Sequence, residues 1–170
     1  MARAAGRTST GGLPLPSAAA AARPALRRRL EAVFWYGVLT AIALVTMQDS
    51  NELVGIDLAS QTIKWRMKTG NMPAGVWVTP DDRYALVGMT GEDYVEVIDW
   101  RTQKSVKKIT TGKGAHNFLA LGDGKRLFVS NRVSNTINVI DQSTLTVVDT
   151  IDMPGGPDCM ELTRDGKQLW

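Results

Sequence analysis

The amino-acid sequence predicts an all-β protein, because residues 51–170 repeat at a spacing of 42 residues and each repeat contains four short β-rich runs. An Ile-Asp pair marks the repeat and recurs without insertion or deletion as Ile56-Asp57, Ile98-Asp99 and Ile140-Asp141. Four-stranded sheets that recur about every forty residues are typical of a β-propeller. We therefore predict β-propeller blades of four antiparallel strands, in an incomplete ring.

The strands of one repeat unit can be assigned in order from apolar runs and turn residues. A first strand over 117–121 is followed by the turn Gly122-Asp123-Gly124-Lys125 and by a second strand over 126–131. Asp-Gly between apolar runs indicates a hairpin, typically with a type I′ turn in which both central residues take a positive φ. A third strand over 136–141 and a fourth over 146–151 complete the unit, and no helical periodicity fits between them.

Residues that recur in the repeat are predicted to have structural roles. An acid at the end of every third strand is expected to cap the following turn through hydrogen bonds from its side chain to the backbone. The Asp-Gly pairs are expected at the hairpin tips. In the first full unit Asp82 stands where the pattern has Gly, so a different turn type is expected there. The residues assigned to structure are Asp57, Asp99, Asp141, Asp123, Gly124, Asp165 and Gly166.

Several runs carry a recognisable repeat motif. They are Leu127-Phe128-Val129-Ser130-Asn131, Asn135-Thr136-Ile137-Asn138-Val139-Ile140-Asp141, Val147-Val148-Asp149-Thr150-Ile151, Gly156-Pro157 and Asp165-Gly166-Lys167. These runs resemble the YVTN family of β-propeller repeats, over roughly residues 43–170. The resemblance implies the fold and leaves the activity open, because it spans surface-layer proteins, periplasmic binding propellers, lactonase-like enzymes and accessory proteins of quinoprotein pathways.

The chain is predicted to divide into three parts. Residues 1–29 form a low-complexity basic leader with six arginines and no acid. Residues 30–43 form a hydrophobic, signal-like segment, and residues 44–170 hold two full repeat units with a partial unit at each end. Closed propellers have about four to eight blades. We therefore expect a fragment of a longer protein or a truncated gene product, with several copies completing one ring as the less favoured alternative.

The segment after the leader indicates export. Basic residues followed by an apolar run have the layout of a secretory signal peptide. Residues 32–47 carry no charge, but the last of them already belong to the repeat. The remainder is shorter than the about 20 residues of a transmembrane helix. A periplasmic or secreted protein is expected, and an uncleaved N-terminal anchor or a wrongly assigned start site are the alternatives.

Charge bears on the class of partner. Outside the leader the chain holds 14 Lys and Arg against 17 Asp and Glu, whereas a nucleic-acid partner would require a basic face on the folded domain. We therefore expect no nucleic-acid partner. The expected partner is an unknown protein or small-molecule ligand, and contact with a membrane is expected only through an uncleaved leader. Because an open array exposes strand edges and a blade face, self-association is also expected.

Candidate ligand-binding residues follow from the position of the channel. In a propeller the first strand of each blade lines the central channel, and ligands usually bind at one mouth of it, which is an architectural analogy. The equivalent positions are Ala74, His116 and Asp158, and His116 is the only histidine of the chain. We predict His116, Asp158 and the adjacent Asn117 as ligand-binding candidates. The alternative is that His116 is an ordinary polar loop residue.

No catalytic or metal-binding motif is evident. The sequence contains no Ser-His-Asp set, Walker loop or zinc-spaced cluster, and a metal or haem site would need several converging imidazole, thiolate or carboxylate groups. We therefore predict no catalytic residues, no metal and no cofactor. Residues 57–65 are similar to the tryptophan-docking repeat of quinoprotein dehydrogenases. Because the equivalents of Trp65 are Lys107 and Asp149, Trp65 is predicted to be a packing residue.

These observations favour a non-enzymatic, exported propeller scaffold that binds a protein or small-molecule partner through loops at the ring mouth. The rival hypothesis is a lactonase-like hydrolase or a quinoprotein-associated oxidoreductase. Its catalytic residues would lie on blades that this chain does not contain.

Overall fold

The computed structural model describes residues 41–170, which form eleven β-strands and no helix. The first sheet contains β1 (Ile42–Met47), β2 (Glu52–Asp57) and β3 (Thr62–Lys68). The second contains β4 (Pro73–Val78), β5 (Ala85–Met89), β6 (Tyr94–Asp99) and β7 (Lys104–Thr110). The third contains β8 (Ala115–Ala120), β9 (Arg126–Asn131), β10 (Thr136–Asp141) and β11 (Thr146–Asp152).

The prediction of an all-β protein built from antiparallel blades is confirmed. Each sheet is antiparallel and its neighbouring strands are consecutive in sequence, as in the blades of a propeller. We call the three sheets blade 1, blade 2 and blade 3. After β11 the chain forms a short hairpin, in which Leu162 pairs with Leu169. The leader and most of the signal-like segment predicted from the sequence lie outside the described residues.

Among residues 41–170 the structure contains no helix that could span a membrane.

The 42-residue spacing extends to the details of strand pairing. The strands β2, β6 and β10 begin 42 residues apart, at Glu52, Tyr94 and Thr136. Each pairs with the strand after it through a register shift, which falls at equivalent places in the three blades: Gly55/Ile56, Val97/Ile98 and Val139/Ile140. A bulge of this kind increases the local twist of a sheet. The repeat therefore sets the shape of each blade as well as its length.

Apolar side chains pack between neighbouring blades in two clusters. Successive side chains of a strand point to opposite faces of its sheet, so β5 contributes Ala85 and Val87 to one cluster and Leu86 to the other. The cluster between blades 1 and 2 contains Leu53, Ala85, Val87, Met89 and Ile98. The cluster between blades 2 and 3 contains Leu86, Val95, Val97, Ile109, Ala115, Leu127, Val129 and Ile140.

The acid at the end of each third strand organises the turn that follows. Asp141 Oδ1 accepts hydrogen bonds from the backbone N–H groups of Ser143 at 2.8 Å and Thr144 at 3.1 Å. The equivalent carboxylates Asp57 and Asp99 each accept two backbone N–H groups in the same way. The same turns each contain one residue of positive φ, at Gln61, Gln103 and Leu145.

The hairpin at Asp123-Gly124 is present, but the predicted type I′ turn is wrong. Of the two central residues, Gly124 has a positive φ, of 69°, whereas Asp123 does not. Asp123 Oδ1 instead accepts the backbone N–H groups of Lys125 and Arg126, both at 2.8 Å. This side-chain acceptor replaces the backbone geometry that a type I′ turn would need.

The turn at Asp82 was expected to differ from the others, and the structure shows that it does not. Asp82 has a φ of 57°, close to the 69° of Gly124 and the 67° of Gly166. Asp is among the residues that tolerate the left-handed region. The side chain of Arg101 also contacts the carbonyl and carboxylate oxygens of Asp82.

Trp65 packs within its own blade. It lies opposite Gly55 in the pairing of β2 with β3, and a methyl group added at Gly55 would collide with its indole ring. The equivalent pairs in the other blades are Val97 with Lys107 and Val139 with Asp149. A large residue on one strand thus accompanies the absence of a side chain on the other.

Replacing Gly55 by Ala should destabilise the protein by about 1–3 kcal/mol, the usual cost of overpacking a filled site. Urea unfolding monitored by circular dichroism would measure this change. The double variant Gly55→Val with Trp65→Lys, which reproduces the pair found in blade 2, should be closer to the parent than Gly55→Ala. Equal stability of Gly55→Ala and the parent would contradict the packing described above.

The Asp123 turn predicts a loss of stability in acid. The backbone N–H of Arg126 is the main cause that holds the pKa of Asp123 well below its ordinary value of 3.8. A carboxyl whose pKa is lowered by folding stabilises the protein above its unfolded pKa, and this contribution is lost as pH falls toward the folded pKa. The midpoint of urea unfolding should therefore fall as pH decreases below about 4.

In the Asp123→Asn variant the fall of this midpoint below pH 4 should be shallower, because the amide does not titrate. Asp152→Asn is the matched control, since Asp152 is exposed and accepts no side-chain hydrogen bond within residues 41–170. If both variants had the same acid dependence as the parent, the assigned role of Asp123 would be wrong.

Candidate functional site

The candidate ligand residues lie where two inner strands approach each other. A methyl group added at Gly75 in β4 would lie 2.5 Å from the carbonyl oxygen of His116 in β8. One added at Gly88 in β5 would lie 3.1 Å from the same oxygen. Two glycines of blade 2 therefore allow the His116 main chain to pack closely against that blade.

The strand ladder is interrupted at these residues. The pairing of β8 with β9 shifts register between Ala115 and Phe118, so His116 and Asn117 lie at the interruption. The pairing of β4 with β5 shifts at the equivalent place. Such irregularities redirect side chains and are frequent beside functional sites. Here the backbone N–H of Asn117 donates to Ser130 Oγ at 3.1 Å.

Hydroxyl groups connect neighbouring repeat units at this level. Thr46 Oγ1 donates to the Ala74 carbonyl at 2.5 Å, and Ser130 Oγ donates to the Asp158 carbonyl at 2.8 Å. Thr46 and Ser130 are equivalent positions, 84 residues apart, and so are Ala74 and Asp158. The residue between them in the repeat is Gly88, which has no hydroxyl to donate.

The structure brings His116 and Asp158 together, as their register predicted. His116 Nδ1 lies 2.6 Å from Asp158 Oδ1, and the side chains are 25% and 46% exposed. Because a carboxylate only accepts hydrogen bonds, a hydrogen bond between these two atoms would need a proton on Nδ1. The two facing atoms are themselves buried, and neither has a well-aligned hydrogen bond. The short distance is therefore a close contact between charged or polar groups, without the direction of a good hydrogen bond.

Arg132 also belongs to this cluster, although the sequence analysis did not select it. Its Nη2 lies 3.7 Å from Asp158 Oδ2, and its side chain is about half exposed. Arg132 follows β9 and is equivalent to Gln48 and Thr90. A charged residue where the other units have an uncharged one is the signal in the sequence that could have identified it.

A cavity of about 400 Å³ opens beside His116. Its wall is formed by the start of β4, the start of β8 and the end of β1, and includes Gln48, Ala74, His116 and Asn117. This volume is within the range of small-molecule sites. The residues that line it include no carboxylate.

A second cavity of about 330 Å³ lies between blades 2 and 3 and is lined by residues 90–93, Lys113, Gly114 and Val133. Its charged residues are Glu92, Asp93 and Lys113, so it combines two acids with one base. The two cavities therefore differ in charge.

Asn117 and Cys159 have fewer features of a ligand-binding residue than His116 and Asp158. Asn117 lines the larger cavity, but its Oδ1 accepts the backbone N–H of Phe118 at 2.8 Å. Cys159, beside Asp158, is an exposed free thiol. Within residues 41–170 no group of three His, Cys, Asp or Glu side chains could hold a metal ion.

Comparisons with known proteins agree with this architecture. Protein NirF from Stutzerimonas stutzeri is 26% identical over 113 residues, which cover 59% of this chain and 29% of NirF. Hydrazine synthase from Kuenenia stuttgartiensis superposes with a TM-score of 0.68 at 26% identity, covering 78% of this chain and 38% of that chain.

The structure of the dihydro-heme d1 dehydrogenase NirN in complex with DHE superposes with a TM-score of 0.57 at 21% identity, covering 75% of this chain and 32% of that chain. This likeness concerns the fold. The chain spans less than two fifths of the length of each of these three proteins.

A family model described as YNCE-like beta-propeller matches residues 20–170. This match agrees with the resemblance to YVTN-type propeller repeats that the sequence motifs indicated. Since the match extends over most of the sequence and the described residues form propeller blades, the chain belongs to the YNCE-like β-propeller family.

Proposed function

We propose that this chain supplies blades of an exported, non-enzymatic propeller scaffold that binds a small-molecule or protein partner at the channel mouth. The observation that carries the proposal is the contact between His116 and Asp158, which joins residues of successive repeat units beside a cavity of about 400 Å³. A cavity with a few convergent polar groups is the usual form of a ligand site.

The distribution of residues in the repeat supports this role. The turn acids Asp57, Asp99 and Asp141 are the same in every unit and all bind backbone N–H groups. At the mouth, by contrast, the equivalent residues are Ala74, His116 and Asp158. A position that differs from blade to blade is not required for blade structure, and is free to serve a ligand.

The chemistry of His116 fits a binding role. A carboxylate beside one ring nitrogen fixes the orientation of an imidazole, so the site without a ligand already holds the His116 ring in place. The amide groups of Gln48 and Asn117 on the cavity wall offer further polar contacts. A protein group or a small molecule with polar atoms could bind here without any covalent step.

The hydroxyl groups near the mouth favour binding over catalysis. A nucleophilic hydroxyl would have to lie within hydrogen-bond reach of the histidine. Within the described residues, Thr46, Thr90 and Ser130 each donate to a backbone carbonyl, and none of them bonds to His116. The cluster therefore lacks an activated nucleophile of its own.

Export is supported by the leader alone. The arginine cluster before an uncharged, apolar run has the layout of a signal peptide. We place the protein in the periplasm or outside the cell on this basis, with an uncleaved N-terminal anchor as the alternative.

An enzyme is the second candidate. Two of the structures that superpose on this chain are named as a synthase and a dehydrogenase, and this chain covers 38% and 32% of them. A hydrolase or oxidoreductase would need catalytic residues on further blades. Turnover of a bound compound by the whole protein would favour this candidate over a scaffold.

Because His116 is the only histidine, its ring signals in an NMR spectrum report on this site alone. A metabolite library would be screened for compounds that shift these signals. Such compounds should raise the melting temperature of the parent by several degrees and leave that of His116→Ala unchanged, since only binding to the folded state stabilises it.

The His116→Ala variant without ligand should melt within about 4 °C of the parent, because the side chain is partly exposed. Asp99→Ala is the comparison variant. It should melt at a lower temperature and still respond to the same compounds. Equal stabilisation of the parent and His116→Ala by every compound found would contradict a ligand role for His116.

A further inference from the structure

We infer that the channel mouth is a carboxylate-binding site, and that the side chain of Asp158 occupies it when no ligand is bound. The inference names the ligand chemistry of the proposed function and rests on it for the location of the site. The ligand would be a small molecule that carries at least one carboxylate group.

The donors around Asp158 have the arrangement that a carboxylate ligand requires. His116 Nδ1 faces one oxygen of the Asp158 carboxylate at 2.6 Å, and Arg132 Nη2 faces the other at 3.7 Å. These donors come from two different strand ends of blade 3. Arg and His donors that converge on two oxygens of one group form a typical anion site.

Asp158 satisfies these donors poorly. Its Oδ1 and His116 Nδ1 are both buried, yet neither has an aligned hydrogen bond. The contact with Arg132 is longer than a hydrogen bond, whose donor and acceptor atoms lie within about 3.2 Å. The carboxylate of a ligand is not tethered to the main chain and could align with both donors. It would therefore compete with the Asp158 side chain for them.

The Asp158 side chain can leave without disturbing the blade. Its main chain is held by the hydrogen bond from Ser130 Oγ to the Asp158 carbonyl, so only side-chain rotation is needed. Asp158 lies outside the regular strands, and its side chain is nearly half exposed. It can turn toward solvent while a ligand carboxylate accepts hydrogen bonds from His116 and Arg132.

The charges of the lining residues favour an anion in the cavity of about 400 Å³ over one in the cavity of about 330 Å³. The wall of the 400 Å³ cavity includes His116 and carries no acid, whereas the second cavity, between blades 2 and 3, holds Glu92 and Asp93 beside Lys113. With Asp158 turned away, Arg132 Nη2 would lie within about 4 Å of the position that the Asp158 carboxylate had occupied. The remainder of the ligand would then contact the amides of Gln48 and Asn117.

The test uses the full chain and succinate as the probe, with the His116 ring signals as the readout. Ionic strength is kept constant with sodium chloride, and sodium sulfate is the comparison anion. Succinate should produce a saturable shift of these signals in the parent. In Asp158→Ala its Kd should be lower by about tenfold, because the competing carboxylate has been removed.

Three further variants make the outcome specific. Asp158→Asn should also bind succinate more tightly than the parent. Asp93→Ala, which removes an acid of the second cavity, should leave the Kd unchanged, whereas a general charge effect would lower it. Adding Arg132→Ala to Asp158→Ala should return the Kd to the parent value or above it. The dispersion of amide signals verifies that each variant is folded.

The alternatives have different results. Weaker succinate binding by Asp158→Ala than by the parent would make Asp158 a ligand contact and overturn the inference while leaving the proposed function intact. Absence of a succinate shift in both proteins would overturn the carboxylate chemistry. A short peptide rich in Glu, titrated in the same way, distinguishes a small-molecule carboxylate from the carboxylates of a protein partner. Tighter binding of the peptide than of succinate would contradict the proposal that the ligand is a small molecule.

Discussion

The fold depends on the burial of both faces of each blade between its neighbours. The strand β5 shows this constraint, because Ala85 and Val87 pack toward blade 1 while Leu86 packs toward blade 3. A four-stranded sheet alone would leave both of these sets in water, so each blade is stable only in an array. Identical spacing then follows, since blades that must fit against each other need strands and bulges at equivalent positions.

Much of this architecture could be predicted from the sequence, because equivalent positions of several repeat units can be compared with one another. The strands over 126–131 and 136–141 were predicted with the bounds that the structure shows. The turn type was not predicted correctly. The dipeptide Asp-Gly specifies a hairpin, but the side chain of Asp123 binds the backbone of the turn and replaces the type I′ geometry. At Asp82 the same backbone shape forms without glycine.

The candidate site was partly predictable, for a related reason. The register places His116 and Asp158 on successive units, and the structure brings their side chains together. Arg132 was missed because it lies after a second strand, where no channel position was considered. The roles of Gly75 and Gly88 depend on how closely β8 approaches blade 2. Such an approach depends on tertiary packing and has no pattern in the local sequence.

The hydroxyl groups that connect the blades have a consequence for how such proteins diversify. Thr46 and Ser130 donate to the backbone carbonyls of Ala74 and Asp158, and every amino acid provides a backbone carbonyl. The connection therefore places no demand on the side chain that it holds at the mouth. When a gene segment encoding one blade is duplicated, the copy retains this connection together with its turn-capping acid. Single substitutions at the mouth can then change the recognition chemistry of one blade without changing the hydroxyl-to-carbonyl hydrogen bond that holds its main chain.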